Sequence, residues 1–259
     1  LLLGMASGVI EMFVRNFGFT LSLEGRTLRR ARGLLTRSEV AIPLHRIQGA
    51  RTAAHWLKRR LGLCRVDVQT MGSFSGMQDI APLANVGEAE RVLAIAGGFK
   101  LIAPERYTPV ASLHRWYDAQ TEALPLALVI LIAGLFWPPL WWGLVFAALL
   151  GIVQVIGARP HGWRIEDDTL HVREGWFSQD RWLLPLANIQ SISLRRGPIQ
   201  RRLDLATVAI ASAGGETSGL RIRNLAHRDA LTLVEILRTY RRSKPPNGQF
   251  VLEAVTTGP

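Results

Sequence analysis

Cysteine is almost absent from this chain of 259 residues, in which Cys64 is the only one. A single cysteine excludes an intramolecular disulfide and is consistent with a reducing compartment. Acidic residues are also scarce, because 20 Asp and Glu stand against 31 Lys and Arg, which gives a formal net charge of +11. Such an excess of positive charge favours anionic partners, either lipid headgroups or nucleic acid.

Motifs of enzyme chemistry are missing as well. The six histidines are scattered, and no pair of them stands at metal-ligand spacing near a cysteine or a carboxylate. The sequence has neither a phosphate-binding loop nor a dinucleotide fingerprint. The segment GSFSG at residues 72–76 resembles a nucleophile elbow, but its central residue is Phe74 rather than a nucleophile. We therefore expect a non-enzymatic protein with no catalytic residue, no metal site and no cofactor.

Charge disappears altogether over residues 123–158, where 36 residues include no Asp, Glu, Lys, Arg or His. A bilayer core needs about 20 apolar helical residues, with about 17 as the lower limit. The run is too long for one helix and has the length of two. Pro138 and Pro139 interrupt it beside three tryptophans, which are typical of the membrane–water boundary. The run therefore predicts a transmembrane helical hairpin; the alternative is a buried hairpin with Gln154 as its only polar group.

The chain also contains an internal repeat. A shift of 142 residues aligns residues 21–97 with residues 163–239 without a gap and pairs 18 identical residues. Ordinary composition gives roughly five identities in such a window. Two copies of one small domain therefore flank the uncharged run. The same shift places residues 1–14 opposite the second predicted membrane helix, so we expect the end of a truncated transmembrane helix there, and a fragment of a longer protein, rather than a signal peptide.

Each repeat contains several short segments of alternating polarity followed by one segment with helical spacing. In the second repeat, the helical pattern begins near His227, and Leu231, Val234 and Leu237 are predicted to form its buried stripe. Many short strands ending in one helix, within about 80 residues, predict a partly open β-barrel capped by the helix.

Two short strings recur in both repeats at the same spacing. The first repeat has PLHRIQ at residues 43–48 and RRLGL at residues 59–63, and the second has PLANIQ at residues 185–190 and RRLDL at residues 201–205. This pattern is similar to that of the bacterial pleckstrin-homology-like (PH-like) membrane proteins. The resemblance implies a PH-like fold for each repeat and brings no catalytic residue with it. The motif residues for which it implies a structural role are Pro43, Ile47, Gln48, Pro185, Ile189 and Gln190.

The expected fold is that of an α+β membrane protein: two PH-like, partly open β-barrels, each capped by a C-terminal helix, separated by a transmembrane helical hairpin. The expected domains are a truncated helix at 1–14, a PH-like domain at 15–98, a juxtamembrane linker at 99–122, the hairpin at 123–158, a second PH-like domain at 159–242 and a disordered tail at 243–259. Arginines flank the hairpin on both sides, which predicts that both repeats are cytoplasmic in a multi-pass protein of the bacterial inner membrane.

The basic residues of the first repeat are candidates for contact with a lipid surface. The first repeat has 14 Lys and Arg against 6 Asp and Glu in residues 15–100, whereas residues 159–259 have 15 against 10. We expect a diffuse basic face rather than a specific headgroup pocket, and stronger binding of anionic membranes by the first repeat. The candidate residues are Arg26, Arg29, Arg30, Arg32, Arg37, Lys58, Arg59 and Arg60.

Two classes of function remain open at this point. In the first, the chain is a non-enzymatic membrane scaffold whose PH-like domains bind partner proteins or each other. In the second, it is a module that binds anionic lipid or senses envelope stress. The expected partners are therefore membrane lipids, other proteins or a second copy of the chain, and no nucleic acid is expected.

Overall fold

The structure is a computed structural model that describes residues 14, 17–71, 76–110, 126–157, 161–175, 177–212 and 220–243. The described residues form two compact units, the first ending at Leu101 and the second beginning at Ile102. Each unit contains one of the two sequence repeats.

The first unit begins with an antiparallel meander. Its turn between the first two strands contains Gly25 at a φ of 60°, a left-handed conformation that glycine adopts without steric cost. Alternate residues of the second strand face inward, as the two-residue period of a strand requires, and Leu28 and Arg30 are 2% and 5% exposed. The strands are β1 (Thr20–Glu24), β2 (Thr27–Arg32) and β3 (Ser38–Pro43).

A second antiparallel sheet completes the β-structure of this unit. Val66, Val68 and Ile80 on its central and edge strands are fully buried and form its core. A five-residue helix connects the first two of these strands, and the helix after the third strand closes the repeat. The elements are β4 (Ile47–His55), α1 (Trp56–Arg60), β5 (Leu63–Thr70), β6 (Gly76–Asn85) and α2 (Val86–Gly97).

Helix α2 has well-defined ends. Asn85 and Glu88 form a capping box, in which each side chain accepts a hydrogen bond from the backbone N–H of the other, at 2.8 and 3.0 Å. Gly98 ends the helix in the left-handed conformation, at a φ of 70°. Between these caps the helix buries Ala89, Leu93 and Ala96 against the sheet.

The second unit repeats this order of elements. It adds a two-residue edge strand that pairs with the first strand of the repeat. The elements are β7 (Thr108–Pro109), β8 (Gly162–Glu166), β9 (Thr169–Glu174), β10 (Ser178–Pro185), β11 (Ile189–Arg195), α4 (Pro198–Arg202), β12 (Leu205–Ser212), β13 (Leu220–Ala226) and α5 (His227–Ser243), while α3 (Trp142–Gly157) precedes the repeat.

The two repeats agree in strand register. Ile47 is paired with Thr70 in the first unit, and Ile189 with Ser212 in the second, and an irregularity of register follows each pair. Ile47 and Ile189 are 7% and 3% exposed, which confirms the prediction that they occupy equivalent buried positions. Each repeat consists of two antiparallel sheets and a closing helix, an arrangement that fits a PH-like β-sandwich; the partly open barrel in the predicted fold class was wrong.

The turn after each short helix is also the same, although its sequence differs. Gly62 and Asp204 occupy equivalent positions with φ of 67° and 51°. Aspartate tolerates the left-handed region better than most residues because its short side chain bonds locally. Here the Asp204 carboxylate pairs with Arg196 at 3.0 Å, which helps to hold the turn.

The closing helix of the second unit packs with a different face from the one predicted. Ala230, Leu233, Val234 and Leu237 are buried, but Leu231 is 49% exposed. The prediction for Leu231 was therefore wrong. The buried residues stand at i, i+3, i+4 and i+7, the spacing of one helix face, and Leu231 lies off that face.

The predicted transmembrane hairpin is not supported. Residues 126–136 are helical, a 3-10 turn covers Pro138–Trp141, and α3 has 16 residues. At 1.5 Å per residue α3 extends about 24 Å, which is less than the bilayer core of about 30 Å. Within the described ranges no helix is long and apolar enough to cross a membrane. The membrane part of the predicted fold class and the multi-pass inner-membrane placement are therefore wrong.

The helical segments around this turn approach each other closely. A Cβ atom at Gly134 would clash with the indole ring of Trp141, and one at Gly143 would lie 3.2 Å from the Ile130 side chain. Glycine at these two positions therefore allows the contact. The predicted truncated helix at 1–14 and tail at 243–259 lie outside the described residues, apart from Val14 and Ser243.

Candidate functional site

The short helix of each repeat exposes an aliphatic residue and an arginine on one face. Leu57 in α1 and Leu61 directly after it are 51% and 66% exposed, and Arg60 between them is exposed too. In α4, Ile199 is 54% exposed and Arg202 is exposed. Residues three and four apart lie on the same helix face. We call this face the exposed stripe, which comprises Leu57, Arg60 and Leu61 in the first repeat and Ile199 and Arg202 in the second, where the equivalent Leu203 is half-buried.

The orientation of each short helix is fixed by its third residue. In the first repeat Lys58 Nζ donates to the carbonyl of Pro82 at 3.4 Å. In the second repeat Gln200, at the equivalent position, donates to Asn224 Oδ1 and to Thr207 Oγ1, the latter at 3.0 Å. Pro82 and Asn224 are themselves 142 residues apart. Different side chains therefore hold the same helix face inward, and the exposed stripe points outward in both repeats.

The residues of the exposed stripe are more similar between the two repeats than the residues at other exposed positions. Most of the identical pairs between the repeats are buried or lie in turns, as with Val66 and Val208, which are both fully buried. The identical string Arg-Arg-Leu at residues 59–61 and 201–203 lies on and beside the stripe. Leu57 and Ile199 are therefore exposed aliphatic residues at equivalent positions of the two repeats.

The arginines of the β1–β2–β3 meander are close together in sequence but point to different sides of the structure. Arg26, Arg29 and Arg37 are exposed. Arg29 pairs with Glu24 at 3.2 Å, and Arg37 with Glu39 at 2.8 Å. Arg30 and Arg32 turn inward instead, so the five arginines do not form one surface. Their contact with lipid, like that of Lys58, Arg59 and Arg60, stays a prediction.

The inward arginines meet a carboxylate of the second sheet. Arg30 Nη1 donates to the backbone carbonyl of Asp79, and Arg32 Nη1 lies 2.8 Å from Asp79 Oδ2. The side chains of Arg32 and Asp79 are each 12% exposed. This contact joins β2 to β6 and therefore ties the two sheets of the first unit together.

A second buried carboxylate lies beside the first. Asp67 is fully buried, and it accepts from Arg51 Nη2 at 2.8 Å and from Arg65 Nε at 2.6 Å. Arg65 Nε also lies 3.9 Å from Asp79 Oδ1, so the two carboxylates belong to one ionic cluster. Hydrogen-bonded arginines on both sides offset the large cost of burying the Asp67 charge.

The second repeat has no such cluster at the equivalent positions. Val172, Ser193 and Ala209 stand where the first repeat has Arg30, Arg51 and Asp67. Val172 is 2% exposed and belongs to the apolar core. The repeat therefore forms the same strand register without these charges, which shows that the ionic cluster is a feature of the first repeat and not a requirement of the fold.

The motif residues take structural positions. Pro43 and Pro185 end the third strand of their repeats and precede a 3-10 turn, and Ile47 and Ile189 are buried just after that turn. The glutamines that follow differ, because Gln48 is 8% exposed whereas Gln190 is exposed. The two glutamines therefore do not share one structural role.

Two buried titratable groups of the second unit have shifted pKa values. Burial lowers the pKa of His171, against smaller opposing effects of the carboxylates of Glu166 and Asp167. Burial also raises the pKa of Tyr107, against the opposing charges of Arg181 and Arg173. Within the described part of the chain, no group of three or more His, Cys, Asp or Glu is placed to hold a metal ion.

Comparison with known families agrees with the duplicated fold. The family model described as bacterial PH domain matches residues 1–98 and 119–241. The chain belongs to the bacterial PH domain family. The two matched regions confirm the predicted family and its two repeats. Domains of the PH-like kind are generally non-catalytic modules that bind lipids or proteins. No curated protein and no solved structure matches the chain.

The exposed stripe is the part of the site that sequence reasoning missed. Lys58, Arg59 and Arg60 were selected for their charge, while Leu57 and Ile199 were not selected. The signal was present in the ungapped repeat, which pairs these two aliphatic residues next to the identical arginines. What the sequence did not show is that both side chains are exposed.

Proposed function

We propose that this bacterial PH domain protein is a non-enzymatic interaction scaffold, and that each repeat binds a partner protein at its exposed stripe. The observation that carries the proposal is the matched exposure of Leu57 and Ile199, at 51% and 54%. Single exposed aliphatic residues are ordinary on protein surfaces. Their recurrence at equivalent positions, on helices held by different contacts, is what supports a shared binding role.

The stripe has the composition of a protein-binding surface. Interfaces combine apolar contact with arginine at their centres, where both are enriched relative to the rest of the surface. Leu57 and Ile199 supply the apolar contact, and Arg60 and Arg202 supply the guanidinium groups. The short helix is held to the sheet behind it, so little conformational freedom is lost when a partner binds.

The test is capture of partners from cells after chemical cross-linking, with the whole chain as bait. We expect proteins that are enriched on the wild-type chain to be lost from the double variant Leu57→Ser/Ile199→Ser. Leu83 and Leu231 are 54% and 49% exposed and lie outside the stripe, so Leu83→Ser/Leu231→Ser is the matched control. The proposal fails if both double variants retain the same partners as the wild-type chain.

An anionic lipid surface is the second candidate, and one observation favours it. Trp56 is 41% exposed and directly precedes Leu57 and Lys58 in the first repeat. Tryptophan and basic residues are both favoured where a membrane meets water. The second repeat has Pro198 at the equivalent position, so this feature is restricted to the first repeat, whereas the exposed stripe occurs in both. The protein partner is therefore the better supported candidate.

Sedimentation with vesicles tests the lipid candidate. We expect binding to phosphatidylglycerol vesicles to exceed binding to phosphatidylcholine vesicles, and to fall steeply with salt as the Debye length shrinks from about 10 Å at 0.1 M to about 3 Å at 1 M. Trp56→Ser should weaken that binding, and Leu83→Ser should leave it unchanged. Equal binding to neutral and anionic vesicles argues against this candidate.

A further inference from the structure

The arginine of each exposed stripe has no internal carboxylate partner among the described residues. Arg60 and Arg202 are both exposed, and within the described ranges neither takes part in an ion pair. Two other exposed arginines of the first repeat, Arg29 and Arg37, are paired with nearby glutamates. The guanidinium groups of the stripes are therefore available to an external anion.

Each of these arginines stands three residues after an exposed aliphatic side chain. Positions three apart on a helix face are about 5–6 Å apart between Cβ atoms. Leu57 and Arg60, like Ile199 and Arg202, therefore offer apolar contact and a charged hydrogen-bond donor side by side. Guanidinium groups bind carboxylates through two parallel hydrogen bonds, which fixes the geometry as well as the charge of the bound group.

The turn residue that follows the short helix differs between the repeats without changing this arrangement. Leu61 and Leu203 follow these arginines, and the left-handed turn at Gly62 or Asp204 then leads the chain away. The single acidic side chain at this turn, Asp204, is paired with Arg196 at 3.0 Å. Its charge is therefore offset locally.

We infer that each stripe binds an acidic protein segment in which an apolar side chain is next to a carboxylate. This inference rests on the proposed scaffold function and names the chemistry of its partner. Because the stripe is present in both repeats, one chain binds two copies of the segment, one at Leu57 and Arg60 and the other at Ile199 and Arg202. Charge complementarity selects an acidic segment over a basic or a neutral one.

The test is a titration of the whole chain with a short synthetic peptide of glutamate and leucine, with stoichiometry and affinity as readouts. We expect two peptides to bind to each wild-type chain. Arg60→Glu and Arg202→Glu should each remove one site, and the double variant should bind none. Arg26→Glu is the matched control, because Arg26 is exposed and lies in the turn between β1 and β2 rather than on the short helix; it should leave both sites intact.

A milder pair of variants measures the charge contribution. An exposed ion pair changes binding by about 1.5- to 5-fold, so Arg60→Gln should weaken its own site by that factor and leave the other site unchanged. A control peptide with lysine in place of glutamate should not bind. The inference is overturned if the lysine peptide binds equally, if Arg26→Glu acts like Arg60→Glu, or if phosphatidylglycerol vesicles bind at the stripe and the acidic peptide does not.

The outcomes separate this inference from the function on which it rests. If partner capture depends on Leu57 and Ile199 but the acidic peptide does not bind, the scaffold function stands and the partner chemistry is wrong. If capture is independent of both residues, the scaffold function itself fails.

Discussion

Removal of the Asp67 carboxylate is expected to destabilise the first unit strongly. Asp67 is fully buried between Arg51 and Arg65, with contacts of 2.8 and 2.6 Å. Asp67→Asn keeps the volume of the side chain and removes its charge, so that Arg51 and Arg65 each lose their nearest carboxylate, while Arg65 keeps its longer contact of 3.9 Å with Asp79. Breaking a fully buried pair costs about 3–5 kcal/mol. Arg51 and Arg65 are 25% and 43% exposed, and solvent screening reduces our expectation to about 2–3 kcal/mol.

The control is an ion pair of the same type on the surface of the same unit. The side chains of Arg37 and Glu39 are 74% and 60% exposed, so Arg37→Gln should cost less than about 1 kcal/mol. Hydrogen exchange on peptides covering β4 and β5 reports the local free energy of opening in the whole chain. If Asp67→Asn is no more destabilising than Arg37→Gln, the buried cluster does not stabilise the first unit as we infer.

The second repeat supplies a rescue experiment. At the positions of Arg51, Arg65 and Asp67 it has serine, threonine and alanine. Replacing a buried ionic group as a whole is often neutral, whereas removing one partner is not. The triple variant Arg51→Ser/Arg65→Thr/Asp67→Ala is therefore expected to recover at least half of the stability lost in Asp67→Asn. A triple variant less stable than Asp67→Asn would show that the charges are needed for the sheet itself.

Three further predictions concern stability. Ile189→Ala should destabilise the second unit by about 2–5 kcal/mol, because the Ile189 side chain is 3% exposed. Ile199→Ala should cost less than about 0.5 kcal/mol, because the Ile199 side chain is 54% exposed. Equal losses of stability in chemical denaturation would contradict the burial of Ile189. Gly62→Ala should cost about 1–2 kcal/mol, because φ at Gly62 is 67°. Gly87→Ala should not destabilise the first unit, because φ at Gly87 is negative and the new Cβ atom meets only ordinary contacts. The melting temperatures of the two variants test this difference. His171 should make the second unit less stable as pH falls from about 6.5, because its lowered pKa leaves the folded state neutral while the unfolded state takes up a proton. The loss of stability continues as pH falls to the pKa of His171 in the folded state. If the variant His171→Gln lost as much stability as the wild type over the same pH range, this prediction would be wrong.

The duplication and the family are the features that the sequence predicted best. An ungapped shift of 142 residues leaves the register of equivalent strands unchanged, so pairs such as Ile47 and Ile189 occupy the same buried position. The motif strings succeeded for the same reason, since they mark a strand end, a 3-10 turn and a buried isoleucine that the fold needs at fixed spacing.

The predicted transmembrane hairpin was wrong because the composition of the uncharged run does not determine the lengths of its helices. An uncharged run of 36 residues has enough apolar residues for two spans, but the described helices of this region do not reach the required length. Helix ends depend on local capping and packing, here the 3-10 turn at Pro138–Trp141, and a count of apolar residues does not reveal them.

The candidate site was only partly predictable, because the charge of a residue does not indicate whether its side chain points into the protein or toward solvent. Arg29 and Arg30 are neighbours in sequence, yet one is exposed and the other is 5% exposed, since successive residues of a strand face opposite sides. The partner of Arg30 and Arg32 is Asp79, which lies 47 residues after Arg32 and is brought near by tertiary structure. Sequence reasoning had no means of finding that long-range contact.

The most direct test of the central claim is site-specific photo-cross-linking within cells. A photoreactive phenylalanine analogue would replace Leu57 or Ile199 on the exposed stripes and, as controls, Leu83 or Leu231 elsewhere on the surface. We expect positions 57 and 199 to cross-link to the same partner protein and positions 83 and 231 not to do so. Cross-links to that partner from the control positions alone, or none from positions 57 and 199, would contradict the claim that the exposed stripes are the binding sites.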